Sequence, residues 1–139
     1  MSWIIYALLS AVFAALVAVF GKIGIKNVDS TLATTVRAVV MAAFLVAVTT
    51  LIGKAKLLHT INSKALAFII LAGIAGAISW LFYFFALKNG PASGVAALDR
   101  LSVVFVLVFA VLFLGEGLTW KSGLGAVLIT LGAIFMTLR

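Results

Sequence analysis

Five apolar stretches follow one another along the chain, separated by short clusters of Lys, Asn, Asp, Gly and Pro. The first runs over residues 3–20 without a charge. No basic segment or small-residue cleavage site accompanies it, so it reads as a retained helix and not as a signal peptide. Lys22 and Lys26 follow, and Asn27-Val28-Asp29-Ser30 supplies a turn in which Asp29 or Ser30 suits the cap of the next helix. The second stretch, 31–52, is apolar except for Arg37 and several Thr. A connection from Gly53 to Asn62 carries Lys54, Lys56 and His59, and Asn62 or Ser63 can cap the third stretch, 64–87. That stretch ends in an aromatic cluster of Trp80, Phe82, Tyr83, Phe84 and Phe85. Lys88-Asn89-Gly90-Pro91 is a strong break, since Gly suits a helix end and Pro a first turn. The fourth stretch, 92–114, contains Asp99 and Arg100; Gly115-Glu116-Gly117 ends it, and Thr119 can cap the fifth, 120–138. Each stretch is close to the roughly 20 apolar residues that cross a bilayer. Lipid offers no partner to backbone polar groups, so all five spans are predicted to be helices.

Composition removes the alternatives. Of the 139 residues 66% are apolar and 9% charged, against roughly 25% charged in an ordinary soluble domain. A soluble fold of this length lacks the polar surface it would need. Cys is absent, so there is no disulfide framework or thiol nucleophile. One His and three acidic residues are too few for a structural metal centre, and no cofactor is expected. His59 sits in a connection and no nucleophile–base pair is evident, which argues against an intramembrane enzyme. The net charge of +7 is scattered singly between apolar stretches, the pattern of helix-flanking charges and not of a nucleic-acid site.

The expected fold class is therefore all-α, an integral membrane bundle of five transmembrane helices forming one domain over residues 1–139. No second copy of the pattern fits in this length. Many transporters enclose their path between two inverted repeats, so one five-helix unit corresponds to half of a ten-helix inverted-repeat fold. Orientation is normally set by excess Lys/Arg on the cytoplasmic side. Here Lys54, Lys56, Lys64 and Lys121 flank the N-terminal face, and Lys22, Lys26, Lys88 and Arg139 the other, four against four. Either the first helix or translocation order fixes one orientation despite the tie, or the chain inserts both ways and pairs antiparallel with itself. The second reading also accounts for the missing repeat.

Charged residues inside spans cost on the order of 2.5–3.5 kcal/mol each at a helix centre. Arg37 lies six residues past Thr31 and Asp99 seven past Ala92, so both sit roughly 10 Å below the same face. They are level and able to pair. Neighbours on a helix point about 100° apart, so Arg100 must snorkel, find another partner or face water. The pair either fixes helix packing or lines a substrate path. Trp80, seven residues before Leu87, reaches the same depth, and Tyr83 and Phe84 share its side. Trp80 and Tyr83 are cavity-wall candidates; Phe82 and Phe85 read as packing and lipid contacts. Lys22 either closes a ring of charge here or reaches lipid headgroups. Three cations and one carboxylate favour anionic or zwitterionic groups. Small residues at Ala72/Gly76 and Gly73/Ala77 suggest packing within the chain, and Ser122, Gly125 and Gly132 a dimer seam.

The runs Ala86-Leu87-Lys88-Asn89-Gly90-Pro91-Ala92-Ser93-Gly94-Val95, Leu98-Asp99-Arg100-Leu101-Ser102 and Leu112-Phe113-Leu114-Gly115-Glu116, with Gly123, Gly125 and Gly132, resemble an EamA domain of the drug/metabolite transporter superfamily. Gly21-Lys22 and Arg37 agree with it. Most members carry two such domains in ten helices; this chain resembles the short five-helix archaeal and bacterial branch. The resemblance implies export or exchange of small metabolites such as amino acids across the prokaryotic plasma membrane.

The expectation is a multi-pass transporter of a small organic solute, working by alternating access as an antiparallel homodimer in the bilayer. Its substrate site would comprise Arg37, Asp99, Arg100, Trp80, Tyr83 and Lys22, with Asp99 also the proton-coupling group. The competing readings are a small-multidrug-type proton-coupled cation exporter and a non-transporting membrane subunit of a larger complex.

Overall fold

The computed structural model describes residues 2–138. Arg139, counted among the flanking charges, lies outside them. All regular structure among the described residues is helical: α1 Ser2–Gly24, α2 Ser30–Leu51, a short 3-10 helix Lys54–Thr60, α3 Ser63–Asn89, α4 Ala92–Asp99, α5 Ser102–Leu114 and α6 Trp120–Thr137. Five segments are long and apolar enough to cross a membrane: Trp3–Gly24, Ser30–Leu51, Ser63–Asn89, Ala92–Leu114 and Trp120–Thr137. The expected all-α, five-span fold is what the chain forms.

Helix ends follow local chemistry. The Asp29 carboxylate accepts the Leu32 N–H at 3.0 Å and caps α2. Gly53, in the left-handed region at φ 71°, lets the chain turn away at the other end. Asn62 Oδ1 accepts from the Ala65 N–H at 2.7 Å, so Asn62 and not Ser63 caps α3. Thr119 and Ser122 exchange side-chain and backbone bonds in a capping box that starts α6. Gly115, at φ 67°, closes α5, and the Glu116 N–H reaches back to the Ala110 carbonyl at 3.2 Å. Glu116 thus serves the helix end through its backbone. Within the spans, Thr34, Thr35, Thr49, Thr50, Thr130 and Thr137 donate their hydroxyls to carbonyls one turn back, which satisfies them without water.

The fourth span is not one helix. Its ends are where the pattern placed them, but α4 stops at Asp99 and α5 starts at Ser102. Across the joint the amides of Arg100, Leu101, Val103 and Val104 bond three residues back, to Ala97, Leu98, Arg100 and Leu101. Asp99 and Ser102 are poor helix formers and Val103 and Val104 are β-branched, so local preference for a continuous α-helix is weakest there.

The chain divides into two compact units, one of Ile23–Lys88 and one of the residues up to Lys22 together with those from Asn89 onward. In the Ile23–Lys88 unit the buried residues Ile25, Ser30, Thr34, Phe84 and Leu87 belong to the start of α2, the turn before it and the end of α3. Lys88 Nζ donates to the Val28 carbonyl at 3.2 Å and ties these ends. In the other unit α6 packs against α4 and α5, with Gly94, Ala97, Ala110, Ala126 and Ala133 buried. A Cβ on Gly94 would lie 3.6 Å from Thr137 Cγ2, so the start of α4 abuts the end of α6. Small side chains let these backbones approach, as they do between helices in lipid.

Candidate functional site

The site lies in the Ile23–Lys88 unit. Arg37 is one turn past Thr34 on α2, and its guanidinium carbon sits 3.5 Å from the centroid of the Trp80 ring on α3. The Phe84 centroid is 5.7 Å away. Trp80, Tyr83 and Phe84 share one side of α3 because they are spaced by three and four residues. Trp80 and Tyr83 meet edge to face at 5.3 Å, and Trp80 and Phe84 lie 6.0 Å apart. Arg37, Trp80 and Tyr83 are half-buried, while Phe84 is buried. Arg37 and Trp80, expected at one depth, meet in a cation–π stack. Phe84 completes the cluster. Its i+4 spacing from Trp80 was the available signal.

The stack covers a face of the guanidinium and leaves its N–H edges open. Within its unit Arg37 makes no hydrogen bond or ion pair. The one carboxylate in that stretch of sequence, Asp29, is engaged at the α2 cap. The Leu32 N–H that Asp29 accepts holds its carboxyl below the ordinary aspartate value; burial opposes it, and the nearby Lys88 charge adds to the lowering.

Beside the stack α2 and α3 leave a cleft of about 610 Å³, within the range typical of small-molecule sites. Thr34, Thr35 and Arg37 line one end; Ala38, Met41, Ala42 and Leu45 continue along α2, facing Gly73, Gly76, Ala77, Trp80 and Leu81 of α3. A Cβ added at Gly73 or Gly76 would meet nothing within 4 Å. The small residues of the third span therefore open a cleft where packing against a neighbouring helix was expected. Their spacing shows that a backbone could approach, not that one does.

The other expected site residues belong to the second unit. Lys22 Nζ donates to the Gly90 carbonyl at 2.8 Å, joining the end of α1 to the turn before α4. Asp99 and Arg100 are exposed at the joint between α4 and α5. Phe82 and Phe85 are exposed. On α6, Gly125 and Gly132 leave open space at their Cβ positions. No group of three or more His, Cys, Asp or Glu able to hold a metal occurs among the described residues.

Five apolar helical spans, with a solute-sized cleft and a stacked cation between two of them, define a polytopic membrane protein. The chain belongs to the EamA-like transporter family, which matches residues 1–138. It is 44% identical over 135 residues to a protein of Sinorhizobium sp. named as an uncharacterized transporter in the cobO 3' region, covering 97% of this chain and 96% of that one. It is also 31% identical over 77 residues to an uncharacterized protein of Methanocaldococcus jannaschii, covering 55% of this chain and 56% of that one. No solved structure matches. The protein is thus a multi-pass transporter of the cell membrane.

Proposed function

We propose that this transporter exports a small organic metabolite, of the size of an amino acid, by alternating access between two antiparallel copies. The observation that carries the reading is the Arg37–Trp80 stack on the wall of a roughly 610 Å³ cleft between two membrane-spanning helices. A half-buried guanidinium about 10 Å into a span is costly to keep there, and such residues usually mark a solute path. Trp80 and Tyr83 form the aromatic wall beside it. In the second unit, Asp99, exposed at the helix joint, is assigned the coupling proton, and Arg100 and Lys22 are assigned solute-binding roles. The four-to-four division of flanking charges supports insertion in both orientations, and pairing of the two orientations supplies the second inverted half.

The test is flux in proteoliposomes with Asp99→Asn beside the unaltered protein, together with compartment reporters fused after Arg139. The expected result is loss of flux in a folded Asp99→Asn protein and reporter signal from both sides of the membrane. Full activity of Asp99→Asn would remove it from coupling, and signal from one side alone would remove the antiparallel pair.

A further inference from the structure

We infer that the cleft between α2 and α3 recognises an amphipathic organic monoanion, with a carboxylate on Arg37 and an apolar body running deeper along the helices. The inference rests on the reading of this cleft as the solute site and specifies what enters it.

Charge comes first. Among the described residues, Arg37 is the only charged one lining the cleft. Its face lies on Trp80, which fixes the plane of the guanidinium while leaving the N–H edges without a protein partner in this unit. A stacked guanidinium with free edges presents the fork that binds a carboxylate through two parallel bonds. The hydroxyls of Thr34 and Thr35 already donate to the Ser30 and Thr31 carbonyls, at 2.8 and 2.9 Å. The polar hydrogens left on the wall therefore belong to Arg37 and the Trp80 indole, both of which suit an anion's oxygens.

Shape and polarity come second. The lining of α2 spans Thr34 to Leu45, roughly 16 Å at 1.5 Å per residue. Its polar residues are gathered in the first turn, and beyond Arg37 the wall is apolar on both helices. A ligand matching this gradient has its charge at one end. An ammonium group has no carboxylate on this wall to meet, because Asp29 does not line the cleft and caps α2. Beside Arg37 it would also be repelled. The wall therefore selects a carboxylate over the corresponding amine, and over the zwitterion that carries both groups.

Binding can be read without transport. Trp3 and Trp120 lie at span ends and are 71% and 85% exposed, so a Trp3→Phe, Trp120→Phe protein leaves Trp80 as the single tryptophan reporter. In phosphatidylcholine nanodiscs, 3-phenylpropanoate is expected to shift Trp80 emission saturably, with empty discs as the control for partitioning. Arg37→Gln should weaken that binding at least tenfold, and Arg37→Lys should recover part of it, with circular dichroism showing both variants helical. Phenylalanine should bind at least tenfold more weakly than 3-phenylpropanoate, and 3-phenylpropylamine should not compete. Equal or tighter binding of the amine or the zwitterion would overturn the inference, as would unchanged affinity in Arg37→Gln. Repetition in phosphatidylglycerol nanodiscs separates solute from lipid: a shift produced by the lipid and not displaced by 3-phenylpropanoate would assign the cleft to lipid and overturn it. Carboxylate binding without flux would support this recognition while removing the alternating-access reading.

Discussion

Arg37→Leu separates a side chain kept for solute from one kept for packing, because the two roles predict stability changes of opposite sign. An Arg at a helix centre costs about 2.5–3.5 kcal/mol to insert. Arg37 is seven residues past Ser30 at the start of α2, about 10 Å inside, so the lower end, about 2.5 kcal/mol, applies. Against this stands its contact with Trp80, 3.5 Å from guanidinium carbon to ring centroid. A stack of that kind contributes about 0.5–2 kcal/mol. Arg37→Leu is therefore expected to stabilise the protein by about 0.5–2 kcal/mol, the difference between the two effects. Unfolding by sodium dodecyl sulfate titration in mixed micelles measures the stability, and proteoliposome flux measures the function. The expected outcome is a sturdier protein that no longer transports. A loss of about 1 kcal/mol or more would refute the reasoning, since it would mean that Arg37 chiefly holds α2 to α3.

Gly76→Leu is expected to fill part of the cleft, since Gly76 lines it and a Cβ there meets nothing within 4 Å. Stability should hold or rise by up to about 1 kcal/mol through helix propensity, while flux falls; a destabilised variant would show that Gly76 is a packing residue. Gly94→Val should act the other way. Its Cβ would already lie 3.3 Å from Pro91 Cγ and 3.6 Å from Thr137 Cγ2, so the branched side chain should lift α4 from α6 at a cost of about 1–3 kcal/mol, read as a lower melting temperature. The Asp29 cap should titrate. Its folded carboxyl is held below the ordinary value of 3.8 by the Leu32 N–H, so its contribution is complete above that value and lost as pH falls through the lower folded one. Protection of the Leu32 amide against hydrogen exchange, corrected for intrinsic rate, should fall in that acidic window and stay flat in Asp29→Asn.

What the sequence made legible is what depends on few neighbours. Span length and apolarity are local, and so are the caps at Asp29, Asn62 and Thr119, each of which bonds to an amide three residues on. The shared depth of Arg37 and Trp80 also followed from counting residues, because in lipid both helices are measured from a common face. The cleft did not follow. Gly73, Gly76 and Ala77 have the spacing of a packed seam, and spacing alone does not tell that the space beside them stays open as part of the cleft. The Lys22 bond to Gly90 joins residues 68 apart in sequence, and no local pattern announces it. The joint at Arg100 is signalled weakly, by modest helix formers around two charged residues in an otherwise apolar run.

That joint has a mechanical consequence. A continuous α-helix resists bending because each peptide plane is locked to the one four residues earlier, so deflection strains several bonds together. Between α4 and α5 the lock is replaced by bonds reaching three residues back, from Arg100 to Val104. The fourth span is thus two stiff rods on a compliant elbow. The upstream rod is braced on α6 at Gly94, and a sideways load on the downstream one is taken up at the elbow, where the Asp99 carboxylate stands.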